Sequence, residues 1–139
     1  MKNLANCTPT EFLKQTYKIK RSAEKWLTDT DIINIRKRMP ELTKITNVMT
    51  DEERESAIEA NKKLVSKQVT KNLMDILDAI LDKNAEGTLE ILALCCFVEP
   101  EDVDNHPMAE YLDSITELIS NKSVVGFFTS LARLGQTNI

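Results

Sequence analysis

The most continuous apolar stretch in the chain is TLEILALCCFV, residues 88–98, in which Glu90 is the only charged side chain. A bilayer-spanning helix needs roughly 20 apolar residues, so this stretch is too short to cross a membrane. Because it is apolar on nearly all sides, it predicts a helix that is buried in the core of a protein. We expect the other elements of the chain to pack around it.

The composition limits the fold class. The chain has 139 residues, which fits one domain, and only three Gly and four Pro, too few for a β-sandwich with many tight turns. Aromatic residues make up 5% of the chain, so the core must consist mainly of aliphatic side chains. These observations predict a single all-α domain, residues 1–139, with five or six helices around a central apolar helix at about 88–98.

Capping signals place the N-terminal helices. Residues 8–11 (TPTE) combine a capping threonine, a proline suited to the first helical position and a glutamate that completes a capping box. Residues 28–31 (TDTD) predict a second helix start, and Pro40 is expected to stop that short helix. Residues 41–49 fit a helical turn, an irregular connector or a short strand, and the first two are favoured.

The longest predicted helix follows another capping box at residues 50–53 (TDEE). Residues 51–82 contain no Gly or Pro, so the sequence gives no reason for a break there. Asn84 is then expected to cap the central apolar helix, and Pro100 to end it. An acidic loop is expected at residues 99–107.

The C-terminal part predicts two more helices. Pro107 should open a helix that runs through Ser120, and the second should cover residues 124–134 after a break at 121–123. Gly135 suits the C′ position of that last helix. The tail, residues 136–139, is expected to fray.

Charge divides the chain into two parts. Residues 1–49 carry ten Lys/Arg and five Asp/Glu, a net charge of +5, and predict basic N-terminal helices. Residues 50–139 carry eight Lys/Arg and seventeen Asp/Glu, a net charge of −9, and predict an acidic helical core over residues 50–135. Opposite charges attract, so this division favours head-to-tail self-association between copies.

The residues that could carry chemistry form no catalytic pattern. His106 is the only histidine, and it lies in the acidic loop. Residues 102–105 lack the glycine of an EF-hand calcium loop. Cys95 and Cys96 belong to the apolar stretch, where burial raises a thiol pKa and lowers its reactivity. We expect no enzyme activity, no cofactor and no metal site.

The three cysteines, Cys7, Cys95 and Cys96, do not form a disulfide framework. Residues 1–6 lead into polar sequence and contain no apolar segment of a signal peptide. The expected location is therefore a reducing cytoplasm, without membrane association.

Adjacent aromatic residues suggest a partner-binding surface. Phe127 and Phe128 cannot both face one core from a single helix, so one of them, or Trp26, is expected to be exposed. Exposed aromatic side chains are common interface anchors, and Leu131 lies one turn further along. The alternative is that both phenylalanines are buried between two neighbouring elements.

Two basic stretches, residues 18–21 (KIKR) and 36–38 (RKR), fit a phosphate-binding surface. Basic residues on a helix are usually a solvated face, however, and no recognition helix follows a recognisable turn. We expect no nucleic-acid binding, and a small helical nucleic-acid-binding regulator stays open as an alternative.

Four stretches carry a family resemblance. The sequences EILALCCFVEPEDV (90–103) and VVGFFTSL (124–131), together with FLKQT (12–16) and IRKRMP (35–40), resemble tail assembly chaperones of long-tailed phages and prophages of Gram-positive bacteria. Proteins of that family are small, helical and located in the cytoplasm of the infected host. They coat the tape measure protein, keep it soluble and help tail tube subunits assemble around it.

The resemblance implies a non-enzymatic chaperone that binds the tape measure protein, and possibly the tail tube protein, and that is absent from the mature virion. The partner-binding residues would be Trp26, Phe127, Phe128 and Leu131. A structural head or tail completion protein is a further alternative, and it would be present in mature particles.

Overall fold

A computed structural model describes residues 1–136 of the chain. In this part the fold is all-α, with no strand, which confirms the predicted class. Six α-helices, one π-helical segment and one 3-10 helix follow in chain order: α1 (Pro9–Thr30), α2 (Ile32–Lys37), α3 (Asp51–Asp78), the π segment (Ala79–Lys83), α4 (Ala85–Cys95), the 3-10 helix (Pro100–Asn105), α5 (Met108–Ser120) and α6 (Lys122–Gln136). The tail, residues 136–139, is predicted to fray, and residues 137–139 lie outside the described part of the chain.

The first helix begins where its capping box predicts and ends later than expected. The Glu11 backbone N–H donates to Thr8 Oγ1 over 3.3 Å, and the Thr8 N–H donates to Glu11 Oε1 over 3.1 Å. The predicted second start at residues 28–31 is confirmed at its last residue, because α1 continues through Thr30 and Asp31 is the N-cap residue of α2. The break falls at Asp31, whose φ of 54° is left-handed, a conformation that aspartate adopts more readily than most residues.

Residues 38–50 form an irregular connector without helix. The Asn61 side chain of α3 fixes it, accepting a hydrogen bond from the Thr43 N–H (2.8 Å) and donating one to the Thr43 carbonyl (3.0 Å). The capping box at residues 50–53 is confirmed, since Thr50 Oγ1 accepts from the Glu53 N–H at 3.2 Å. From there α3 runs without interruption into the π segment.

The chain forms two compact units. Unit 1 comprises Met1–Trp26 and the chain from Glu86 onward, and unit 2 comprises Leu27–Ala85. The boundary between the basic and acidic parts of the sequence, at residues 49 and 50, lies inside unit 2 and does not mark a structural division. A single domain stays a prediction.

In unit 2, α2 packs against α3, with Ile35, Ala57 and Ala79 as buried apolar residues. The buried Asn72 side chain donates to the Arg38 carbonyl over 3.1 Å, which ties α3 to the chain that leaves α2.

In unit 1, the buried residues near the C-terminal end of α4 lie next to buried residues of α5. Ala93 and Cys96 are each 2% exposed, and the buried residues of α5, Tyr111 and Ser114, lie beside Cys96. The Tyr111 hydroxyl donates to the Val103 carbonyl over 2.7 Å and so holds α5 against the 3-10 helix.

The central helix ends at Cys95, five residues before Pro100, which was expected to end it. Phe97 adopts a left-handed φ of 55°, the Val98 N–H donates to the Ala93 carbonyl (2.9 Å), and the Phe97 N–H donates to the Leu94 carbonyl (3.4 Å). This is a Schellman motif with phenylalanine at the position that glycine usually occupies. Pro100 instead opens the 3-10 helix, so much of the predicted acidic loop is helical.

The two C-terminal helices are separated by Asn121 alone, and not by residues 121–123. The Asn121 Oδ1 atom accepts from the Val124 N–H at 3.0 Å, in the manner of an N-cap residue. The predicted role of Gly135 is wrong, because α6 continues through Gln136 and no glycine has a positive φ.

Candidate functional site

Phe127 and Phe128 form a partly exposed aromatic cluster with Phe12 of α1. The Phe12 ring lies 5.6 Å from Phe127 edge-on and 6.1 Å from Phe128 in a stacked arrangement, and the two neighbours are 5.4 Å apart. Phe127 is 43% and Phe128 37% exposed, so neither is buried and neither is fully free. The sequence predicted either that one aromatic ring is exposed or that both phenylalanines are buried. In the structure both rings are partly exposed, and Phe12 of α1 contacts both of them.

The whole of α6 shares this exposure. None of its residues is buried, and Leu131 is 47% exposed. Val124, Phe127, Phe128 and Leu131 follow the spacing i, i+3, i+4, i+7, which places them on one face of the helix. An apolar helical face that its own fold leaves open is typical of a partner-binding surface.

Trp26 lies elsewhere on unit 1. Its indole Nε1 donates to Thr88 Oγ1 at the start of α4 over 2.9 Å. A Cβ atom on Gly87 would lie 3.3 Å from Trp26 Cδ1, so a glycine at this position allows the close approach of the ring. Trp26 is 14 residues after Phe12 on the same helix, about 21 Å along its axis. The structure therefore brings together Phe127, Phe128 and Leu131, and not Trp26.

The basic stretches each contain a residue that already has a carboxylate partner. Lys20 pairs with Glu24 over 2.7 Å, and this hydrogen bond raises the pKa of the lysine. Arg38 pairs with Asp75 over 3.1 Å. The stretch 18–21 belongs to unit 1 and the stretch 36–38 to unit 2.

The cysteines and the histidine have structural surroundings. Burial, with a smaller contribution from Cys96, raises the pKa of the Cys95 thiol to about 11, and burial also raises the pKa of Cys96. Both thiols therefore favour the protonated, less nucleophilic form. The exposed His106 Nδ1 lies 2.9 Å from Glu110 Oε2, one helical turn away. Within residues 1–136, no group of three or more potential ligands could hold a metal ion.

Sequence reasoning missed two buried polar residues of unit 1. Asn3 is 1% exposed, and its side chain accepts from the Ala5 N–H (2.8 Å) and donates to Glu117 of α5 (3.4 Å). Gln15 donates from Nε2 to the Leu94 carbonyl over 2.6 Å. Their partners on other helices, Glu117 and Leu94, are distant in sequence, and no local sequence pattern predicts these contacts.

The described residues thus define a class: an all-α protein with an open amphipathic helix and an aromatic cluster at its surface. No helix among them is both long enough and apolar enough to span a bilayer. Comparisons of the chain with protein families, with curated proteins and with solved structures found no match.

Proposed function

We propose that this protein is a non-enzymatic tail assembly chaperone that binds the tape measure protein of a long-tailed phage or prophage and keeps it soluble in the host cytoplasm. The proposal starts from the resemblance of residues 90–103 and 124–131 to that family. The observation that carries it further is the open apolar face of α6, which buries none of its residues.

The α6 face has the chemistry that such a partner requires. A tape measure protein is a long helical chain with apolar stripes, and helices with anchors at i, i+3, i+4 and i+7 bind one another through such faces. Burying one fully exposed phenylalanine or leucine contributes about 1.5–3 kcal/mol, so Phe127, Phe128 and Leu131 together could supply a substantial part of a stable complex. Trp26, which keeps a partly exposed ring, is a proposed second contact at another place on unit 1.

Two further partners belong to the proposal. The tail tube protein would be met while the tube assembles around the tape measure protein. Copies of this chain would associate through the opposite net charges of residues 1–49 and 50–139. The charge-driven part of that association should weaken with salt, because exposed charges are screened beyond about 10 Å at 0.1 M ionic strength.

Co-expression tests the proposal. The tape measure gene from the same genome is expressed with and without this chain, and the soluble tape measure protein is measured, followed by affinity recovery of a complex. We expect a rise in solubility and a recovered complex. Equal solubility with no complex would contradict the proposal. A structural completion protein would also be found in purified mature particles, from which the chaperone should be absent.

Variants locate the surface. We expect Phe127→Ser, Phe128→Ser and Leu131→Ser each to weaken tape measure binding by about 2 kcal/mol, roughly 30-fold, as truncation of a central interface anchor does. The matched control is Leu42→Ser in the connector, whose side chain is similarly exposed, at 45% against 47% for Leu131. Circular dichroism confirms that each variant stays folded. If the control lost as much binding as the α6 variants, α6 would not be the site.

A further inference from the structure

Unit 1 has a second surface feature, a groove of about 290 Å³ between α4 and the 3-10 helix. We call it the acidic groove. Four residues from one face of α4 and two from the 3-10 helix line it: Glu86, Leu89, Glu90, Ala93, Pro100 and Val103.

The inside of the groove is apolar. Its apolar lining consists of the buried Ala93, Leu89, which is 36% exposed, Val103 and Pro100. A cavity of about 150 Å³ accepts a benzene molecule, so the groove has room for about two aliphatic side chains. Its size therefore suits one or two anchors of a helix and not a whole element.

The edge of the groove carries uncompensated negative charge. Glu86 and Glu90 are exposed, one helical turn apart, in the i, i+4 relation in which like charges repel. Neither has an ion-pair partner among the described residues. Residues 84–121, the segment that contains both lining helices, include nine Asp/Glu and no Lys or Arg. Lys18 lines a smaller adjoining cavity, of about 140 Å³, without an ion pair to Glu90.

We propose that the acidic groove binds an amphipathic helix of another protein, one that presents one or two aliphatic side chains between lysines or arginines. The aliphatic side chains would enter beside Leu89 and Val103, and the cations would meet Glu86 and Glu90, relieving their repulsion. Charge complementarity selects a basic helix over an acidic one, which would bring further carboxylates to the same edge. This inference does not rest on the proposed function, and it concerns a different surface from α6.

A designed peptide tests it. The probe is a fluorescein-labelled, end-capped peptide of about 14 residues, (LKALAKK)₂, whose leucines lie on one helical face between lysines. A second peptide has the same composition with the leucines distributed around the helix. Fluorescence anisotropy at low ionic strength, about 50 mM, measures both affinities. We expect the amphipathic peptide to bind saturably and at least about tenfold more tightly than the shuffled one.

Variants of the groove separate its contribution from general attraction between acidic protein and basic peptide. Glu86→Gln with Glu90→Gln should weaken binding about tenfold, and Leu89→Gln by several-fold. The control, Asp82→Asn with Asp113→Asn, removes two carboxylates that do not line the groove, and should change affinity by less than about twofold. All three proteins change exposed positions, and circular dichroism verifies their folds.

Three results would overturn the inference: equal binding of the two peptides, equal loss in the groove and control variants, or tighter binding of an acidic amphipathic peptide. If the peptide test failed and the tape measure protein was rescued, the groove would be rejected and the proposed function kept. If the peptide bound as expected and the tape measure protein was not rescued, the proposed function would be rejected and the groove kept.

Discussion

Helix α4 is apolar on nearly all sides and is partly covered within unit 1, whereas α6 is amphipathic and buries none of its residues. Gln15 and Trp26 of α1 donate hydrogen bonds to residues of α4, and Tyr111 of α5 packs beside its C-terminal end. In α6, none of whose residues is buried, two rings contact Phe12. The apolar sequence of α4 on nearly all sides predicted its burial, whereas the adjacent phenylalanines of α6 left open whether one ring or neither would be exposed.

The difference follows from where partners are available. Polar side chains of α1 contact both ends of α4: Trp26 donates to Thr88 near its start, and Gln15 gives the Leu94 carbonyl a second donor besides the Phe97 N–H. The apolar side chains on the open face of α6 need no hydrogen-bond partner from the rest of the chain. An apolar helical face that remains exposed, as that of α6 does, is typical of a surface that binds another molecule.

The largest effect on stability should come from Tyr111 of α5, which packs beside the C-terminal end of α4. Tyr111→Ala removes a side chain that is 3% exposed, and we expect it to lower the free energy of unfolding by about 3 kcal/mol. Tyr111→Phe removes only the hydrogen bond to the Val103 carbonyl and should cost about 1 kcal/mol. Urea denaturation followed by circular dichroism measures both. Leu134→Ala, on the exposed part of α6, is the control and should change stability by less than about 0.5 kcal/mol.

The second effect is a pH dependence of the free energy of unfolding, which arises from Cys95 of α4. Burial raises the pKa of Cys95 to about 11 in the folded protein, whereas an unfolded thiol titrates near 8.5. The folded state therefore holds this proton more tightly, and its contribution to stability is complete below the unfolded pKa. That contribution is lost as the pH rises from about 8.5 to 11, and it amounts to about 3 kcal/mol.

The measurement is the difference in unfolding free energy between the wild type and Cys95→Ala at several pH values. The difference should shift against the wild type between about pH 8.5 and pH 11. Other groups titrate in the same range and cancel in the comparison. A constant difference over that range would show that Cys95 is not desolvated by its surroundings.

The third effect tests how α6 is attached. Phe12→Leu loses the ring contacts to both Phe127 and Phe128, and should destabilise unit 1 by about 1–2 kcal/mol. A double-mutant cycle of Phe12→Leu with Phe127→Leu should give a coupling of about 0.5–1.5 kcal/mol. Additive effects would mean that the rings of Phe12 and Phe127 do not interact in solution.

The local parts of this comparison were accessible from sequence. The capping boxes at residues 8–11 and 50–53 form as predicted, because each requires only a contact within one helical turn. The apolar stretch at 88–98 correctly located a helix with a buried residue, Ala93, and the connector at 41–49 is irregular, one of the two favoured forms.

The long-range and strained parts were not accessible. Asp31 and Phe97 follow helix ends in left-handed conformations that sequence rules reserve mainly for glycine, so the end of α1 was placed too early and the end of the central helix too late, at Pro100. The exposure of Phe127 and Phe128 depends on Phe12, more than a hundred residues away. Sequence named the two adjacent rings as candidates, but only the fold could show that both remain half exposed and that Trp26 packs elsewhere.

The smallest effect contrasts one glycine in each helix. A Cβ atom at Gly126 of α6 would meet nothing within 4 Å, so Gly126→Ala should raise the free energy of unfolding by about 1 kcal/mol through helix propensity alone. At Gly87 of α4 the same atom would lie 3.3 Å from Trp26 Cδ1, and the hydrogen bond to Thr88 limits how far that ring can move. Gly87→Ala should therefore gain clearly less, or lose stability. The deciding measurement repeats Gly87→Ala in a Trp26→Phe background, where the hydrogen bond is gone and the smaller ring leaves space. There the gain should approach that of Gly126→Ala. If both glycines gave equal gains in the wild-type background, α4 would be no more tightly covered at Gly87 than α6 is at Gly126.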